Sequence, residues 1–178
     1  MSVADALSPR LEPGAPAPDL AVQLAGGGVW RLSDQSPEHF TLVVVFRGWH
    51  CSFCKPEIDR LAALQDDFSS IGISLLAVSM DDGGRAEKAS REWDIDGLPL
   101  AYGMSEGQAR AWGLLLSRRI KPQEPEIFSE PGAFLVRVDG TVYAQFQSTA
   151  PWLRLDLDVL YRGVQLAMQR GTPPRGAG

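Results

Sequence analysis

Residues Thr41 to Phe68 read TLVVVFRGWHCSFCKPEIDRLAALQDDF, and the order of residue types within this stretch decides the fold. Thr41 to Phe46 is an unbroken run of β-branched and apolar side chains, which predicts a buried strand. Arg47 to His50 is a short loop. From Cys54 onward, Ile58, Leu61, Leu64 and Phe68 recur at helical spacing. The only two cysteines of the chain, Cys51 and Cys54, stand where strand and loop give way to helix.

That placement has chemical consequences. A thiolate, not a thiol, is the reactive species. The first turn of a helix offers free N–H groups and a partial positive charge, both of which favour an anion. Arg47, His50 and Lys55 add positive or donor groups nearby. Cys51 is therefore expected to be the more acidic and more accessible thiol, and the nucleophile. Cys54, one helical turn on with Cα atoms roughly 5 Å apart, lies within disulfide reach and is expected to resolve the product. This reading starts the helix at Cys51. Pro56 pulls the other way, because a proline is best placed at an early helical position, which would start the helix near Lys55 and leave the CxxC in the loop. The earlier start is the expectation taken forward.

The chain has 178 residues, 44% of them hydrophobic, so it can bury one full core without disulfide staples. A lone CxxC then points to catalysis or metal binding in a compartment that keeps thiols reduced. A formal net charge of −5 argues against a nucleic-acid surface. No apolar run is as long as a membrane span, and the N-terminus lacks the basic start and apolar core of a secretory signal. The expected location is cytoplasmic.

The rest of the chain supplies the partners of the central strand. Residues 1–12 are expected to be an extended N-terminal segment, 13–170 one domain, and 171–178 a flexible tail. Asp19–Leu24 and Val29–Leu32 flank a glycine-rich turn and predict a hairpin. Ile71–Met80 predicts a second buried strand, and Arg85–Trp93 a helix. Leu98–Tyr102 predicts a short strand, and Ser105–Leu114 a helix capped by Ser105. Ser117–Gly132 is polar and proline-containing, which predicts a loop. Ala133–Val138 and Thr141–Gln147 are strands joined by Asp139-Gly140, a strong hairpin signal. Asp156–Arg170 is amphipathic and closes the domain. The expected fold is α/β: a βαβ unit followed by a ββα unit, giving a mixed central sheet flanked by helices, with an N-terminal β-hairpin extension.

These segments together resemble the thioredoxin superfamily, and within it the peroxiredoxin-like alkyl hydroperoxide reductase/thiol-specific antioxidant (AhpC/TSA) branch. The resemblance is carried by Pro13-Gly14-Ala15-Pro16-Ala17-Pro18-Asp19-Leu20, by Phe46 to Cys54, by Val78-Ser79-Met80-Asp81, and by Pro131 to Leu135 with Asp139-Gly140. It implies a thioredoxin-like fold, a redox-active Cys51/Cys54 pair, Trp49 as an aromatic wall of the site, and Pro131 in a cis-proline loop beside the cysteines. His50 is expected either to tune the thiolate or to be only a loop residue, and Arg47 either to hold a thiolate or peroxide or to be solvated. The pattern also departs from the family. Peroxiredoxins carry a Pro and a Thr or Ser seven and three positions ahead of the reactive cysteine, where this chain has Val44 and Gly48. Where many of them carry an Arg before the late strand, it has Pro131.

The leading expectation is thus a thiol–disulfide oxidoreductase, with a hydroperoxide-reducing thiol peroxidase as the alternative. Its substrate is a protein disulfide or a hydroperoxide, its reductant is thioredoxin or a low-molecular-weight thiol, and it uses no cofactor. Peroxide reduction is expected to be the slower activity unless Arg47, His50 or Arg118 supplies the lost donors. A metal-binding protein using the CxxC and a histidine, and a binding module with a vestigial site, are the readings from other classes.

Overall fold

The computed structural model describes residues 10–177. Most of the expected N-terminal segment, residues 1–9, lies outside the described residues, as does Gly178. The central strand forms as the residue pattern requires: β3 (Phe40–Val45) is buried along its whole length. Its side chains alternate between two faces, as a strand's must. Leu42 and Val44 enter one core with Cys51, Cys54, Ile58, Leu61 and Phe68, while Val43 and Val45 enter a second core with Trp112, Phe134 and Val136.

Two strands on each side of β3 and an N-terminal hairpin complete the sheet. α1 (Cys54–Ala63) and α2 (Gln65–Ser70) carry the chain from β3 to β4 (Ile73–Val78), which pairs parallel to β3 with Val44 opposite Ala77. α3 (Gly83–Glu92) then leads to β5 (Leu100–Tyr102), parallel to β4. β8 (Gly132–Arg137) runs antiparallel to β3, and β9 (Val142–Gln147) antiparallel to β8. The N-terminal hairpin, β1 (Ala21–Leu24) with β2 (Val29–Arg31), adds to the far edge through β5. The seven-stranded order is β2-β1-β5-β4-β3-β8-β9. α5 (Leu157–Arg170) packs on the α1 face, and α4 (Glu106–Ala111) on the other. This is the expected mixed thioredoxin-like sheet with helices on both faces.

The structure changes three local expectations. The helix starts at Cys54, not Cys51, so Pro56 sits within its first turn, where a missing N–H costs nothing. The stretch expected as a loop, Ser117–Gly132, contains β6 (Leu116–Arg118) and β7 (Ile127–Ser129), which pair with each other outside the main sheet. The Glu130–Pro131 bond is trans, because no cis bond occurs among the described residues. Trans geometry keeps the run from β7 to β8 extended: Glu130 N–H donates to the Leu115 carbonyl at 2.7 Å, and the Pro131 carbonyl accepts from Ser148 N–H at 3.0 Å.

Candidate active site

Both cysteines lie in the wall between β3 and α1, as free thiols 3.3 Å apart. Cys51 precedes the helix in a tight turn, with Cys54 N–H donating to its carbonyl at 3.0 Å. Cys51 is 4% exposed and Cys54 fully buried, so both residues lie inside the core and Cys51 is the less deeply enclosed. Their acidities diverge strongly. Cys51 is lowered to about 5: the Cys54 thiol donates to it, and Arg47, the charge of Arg154 and the Phe53 N–H add to that against the cost of burial. Cys54 is pushed well above the usual thiol range, first by burial and then by the Cys51 sulfur beside it. The acidic thiol is the one read from the sequence, although the cause is not a helix dipole acting from Cys51 as the first residue.

Arg154 is the residue the sequence reading missed. It stands in the irregular run just before α5, 103 positions from Cys51, in no motif. Its Nη2 donates to Cys51 Sγ at 3.4 Å and to Cys54 Sγ at 3.3 Å, while Nη1 bonds the Glu57 carboxylate on α1. Burial raises the Glu57 pKa, offset in part by Arg154. A second guanidinium, Arg47, stands in the redox loop, where it helps to lower Cys51, and pairs with Glu130, Nε to Oε2 at 3.0 Å.

The other expected site residues have different surroundings. His50 turns its ring edge onto Phe128 at 5.0 Å between centroids, and neither ring nitrogen has a hydrogen-bond partner. Burial and then the charge of Arg47 lower it to about 4, so it is neutral at pH 7 and brings no positive charge to Cys51. Trp49 is tied to α3: its Nε1 donates to Glu92 at 2.8 Å, and Lys88 lies 4.6 Å over the ring. Its backbone N–H donates to Asp81 at 2.7 Å. Gly48 takes φ +134°, and a Cβ there would stand 2.6 Å from Asp81 Oδ1. This close approach of loop and carboxylate accounts for glycine where the family pattern has Thr or Ser. Pro131 is buried, and its neighbour Glu130 reaches Arg47. Arg119 binds within its own hairpin, with Nε donating to the Glu124 carbonyl at 2.8 Å, and Arg118 makes no contact to the cysteines among the described residues. The His39 ring pairs with Glu38, at 3.5 Å, on the surface. Among the described residues, no group of three or more His, Cys, Asp and Glu side chains could share a metal ion, so the metal-binding reading finds no third ligand.

A low-pKa thiol, a buried partner thiol and two arginines on the same sulfur agree with the comparison of the sequence to protein families, in which the AhpC/TSA family profile matches residues 13–145. The chain belongs to the AhpC/TSA family. It is accordingly an oxidoreductase. No curated protein matches this AhpC/TSA chain in sequence. Its fold is similar to that of peroxidoxin BcpB from Mycobacterium tuberculosis (TM-score 0.70, 17% identity, 94% of this chain and 100% of that one). It is also similar to the reduced 2-Cys peroxiredoxin of Plasmodium vivax (TM-score 0.74, 16% identity, 92% and 86%). A third similar structure is a mutant of peroxiredoxin 6 from Arenicola marina (TM-score 0.76, 13% identity, 90% and 74%). At these identities the likeness concerns the AhpC/TSA fold alone. No helix among the described residues is long and apolar enough to cross a membrane.

Proposed function

We propose that the protein is a thiol peroxidase that reduces a hydroperoxide with Cys51 and resolves the product with Cys54. The observation that carries this reading is the pair of guanidinium groups at the Cys51 sulfur. Val44, Gly48 and Pro131 cannot supply the donors that hold a peroxide, but Arg47 and Arg154 stand at the same sulfur and can. This reverses the expectation that disulfide exchange is the main activity. The burial of Cys51 points the same way: a hydroperoxide reaches a residue 4% exposed more readily than the bulk of a folded protein disulfide does.

In the first step the Cys51 thiolate attacks the terminal oxygen of ROOH. The S–O bond forms, the O–O bond breaks, and RO⁻ leaves with a proton from solvent as ROH. Cys51 becomes a sulfenic acid, stabilised during the attack by donors already in place. In the second step the Cys54 sulfur displaces the sulfenic oxygen as water, and the disulfide forms. Two equivalents of a low-molecular-weight thiol, or one protein dithiol such as thioredoxin, then return both cysteines to thiols. A cytoplasmic setting, which maintains such reductants, suits this cycle. Stopped-flow oxidation of the reduced protein by hydrogen peroxide, an alkyl hydroperoxide and a small protein disulfide tests it: the peroxides should react first, and disulfide-first kinetics would return the assignment to thiol–disulfide exchange.

A further inference from the structure

The β6–β7 pair takes no part in the main sheet, yet its carboxylates reach the redox loop. Glu130 follows β7 directly, and Glu124 lies in the connection between the strands; they are 6% and 3% exposed. Carboxylates are seldom buried that far unless paired. Both face one guanidinium: Arg47 Nε is 3.0 Å from Glu130 Oε2, and Arg47 Nη2 is 4.0 Å from Glu124 Oε1. Each carboxylate is in turn fixed by the hairpin. Ser117 Oγ donates to Glu130 Oε1 at 2.6 Å, and the N–H groups of Ile120 and Lys121 donate to Glu124 Oε2 at 2.8 and 2.9 Å. The Phe128 ring lies 4.7 Å under the guanidinium. Arg47 Nε and Glu130 Oε2 are close but not aligned for a hydrogen bond, so the contact is charge on charge and that N–H stays uncommitted. Stability alone is a poor account of this arrangement, because buried ion pairs often fail to repay their desolvation.

We propose that Glu130 and Glu124 are positioning residues of the redox site, holding the Arg47 guanidinium at the Cys51 sulfur. The proposal rests on Cys51 as the attacking thiol. The groups facing that sulfur are Arg47 from the loop, Arg154 from the run before α5, and Cys54 and Glu57 from α1, with neutral His50 next in the chain. Each hairpin carboxylate, by its own charge, opposes a thiolate. Deleting one while Arg47 stays in place would make Cys51 more acidic. Deleting one that holds Arg47 in place releases the guanidinium and makes Cys51 less acidic. The direction of the change therefore separates position from charge.

The test is the rate of Cys51 alkylation by iodoacetamide between pH 4 and 9, read by peptide mass spectrometry on the reduced full chain. Glu130→Gln and Glu124→Gln are each made alone and with Arg47→Ala, and circular dichroism checks the fold. Each single Gln variant should move the Cys51 titration upward by about half a unit to one unit, with the rate near pH 4 falling about three- to tenfold, since well below the titration one unit is tenfold. In the Arg47→Ala background neither should move it upward again. A downward or absent shift in the single variants, or an equal upward shift without Arg47, overturns the proposal. If one single variant does not fold, the other decides. No peroxide enters this assay, so failure of the positioning claim and failure of the peroxidase reading give different results.

Discussion

At the Cys51 sulfur a thiol proton, two guanidinium groups and a backbone N–H favour the anion and outweigh burial and the charge of nearby carboxylates. The consequence is a thiolate at neutral pH. The rate of peroxide attack should be flat above about pH 6 and fall below about pH 5, as Cys51 protonates. Arg154→Ala removes a donor shared by both sulfurs; it should raise the Cys51 titration by about one unit and slow alkylation near pH 4 about tenfold. An unchanged profile would show that Arg154 serves only Glu57. Asp81 tests the support beneath the loop. Burial, set against the Trp49 N–H, raises it to about 6 from 3.8. A carboxyl that binds its proton more tightly folded than unfolded favours the fold below about pH 4, and that advantage is lost as pH rises through 6. Asp81→Asn keeps an acceptor for Trp49 without the charge. It should therefore unfold at higher urea than the parent at pH 8, by about 3 kcal/mol at most, with the gap closing at pH 4. A destabilised variant at pH 8 would mean that the loop needs the charge. His50 shows why such assignments escape a sequence: adjacency to Cys51 suggested a tuning cation, but burial against Phe128 and the charge of Arg47 keep the ring neutral.

The elements that present these residues were legible to different depths. β3 was read within a residue, because an unbroken run of apolar and β-branched side chains favours a buried strand. The start of α1 was not. Pro56 signalled the later start, and the periodicity of Ile58, Leu61 and Leu64 is the same for either. The β6–β7 pair stayed hidden because each strand has three residues of mixed polarity, too short for alternation to show. α5 was clear as a helix, but its function as an anchor was not. Its N-cap is Asp156, which accepts from the N–H groups of Asp158 and Val159 at 3.0 Å each and stands two residues after Arg154. Asp156→Ala should cost about 1 kcal/mol in urea unfolding. It should also move the Cys51 titration slightly upward as the run carrying Arg154 loosens. A loss of stability with no change in thiol titration would separate the helix from the site.

Across the whole molecule, the sheet order follows from local signals: a βαβ unit, a glycine-rich hairpin, and Asp139-Gly140 between the last two strands. The constellation around the thiols does not, because it is assembled from distant runs. Arg47 comes from the redox loop, Glu124 and Glu130 from the β6–β7 pair, Glu57 from α1 and Arg154 from the approach to α5. No spacing rule links residues 100 positions apart, and a lone arginine in a polar loop resembles any surface arginine. For the donors missing at Val44, Gly48 and Pro131 the sequence offered Arg47, His50 or Arg118 as replacements but gave no sign of Arg154, and so it placed disulfide exchange ahead of peroxide reduction. Loss of one such donor typically slows a reaction by about 10²–10³, so the substitution of Arg47 and Arg154 for those donors is a claim about rate. The most direct measurement is the second-order rate constant of the reduced protein with hydrogen peroxide or an alkyl hydroperoxide at pH 7. With the two arginines acting on the peroxide, the faster of the two should reach about 10⁵ M⁻¹s⁻¹ or more, inside the range of efficient enzymes. A constant no greater than that of a free thiol for both peroxides, alongside rapid reduction of a protein disulfide, would contradict the account.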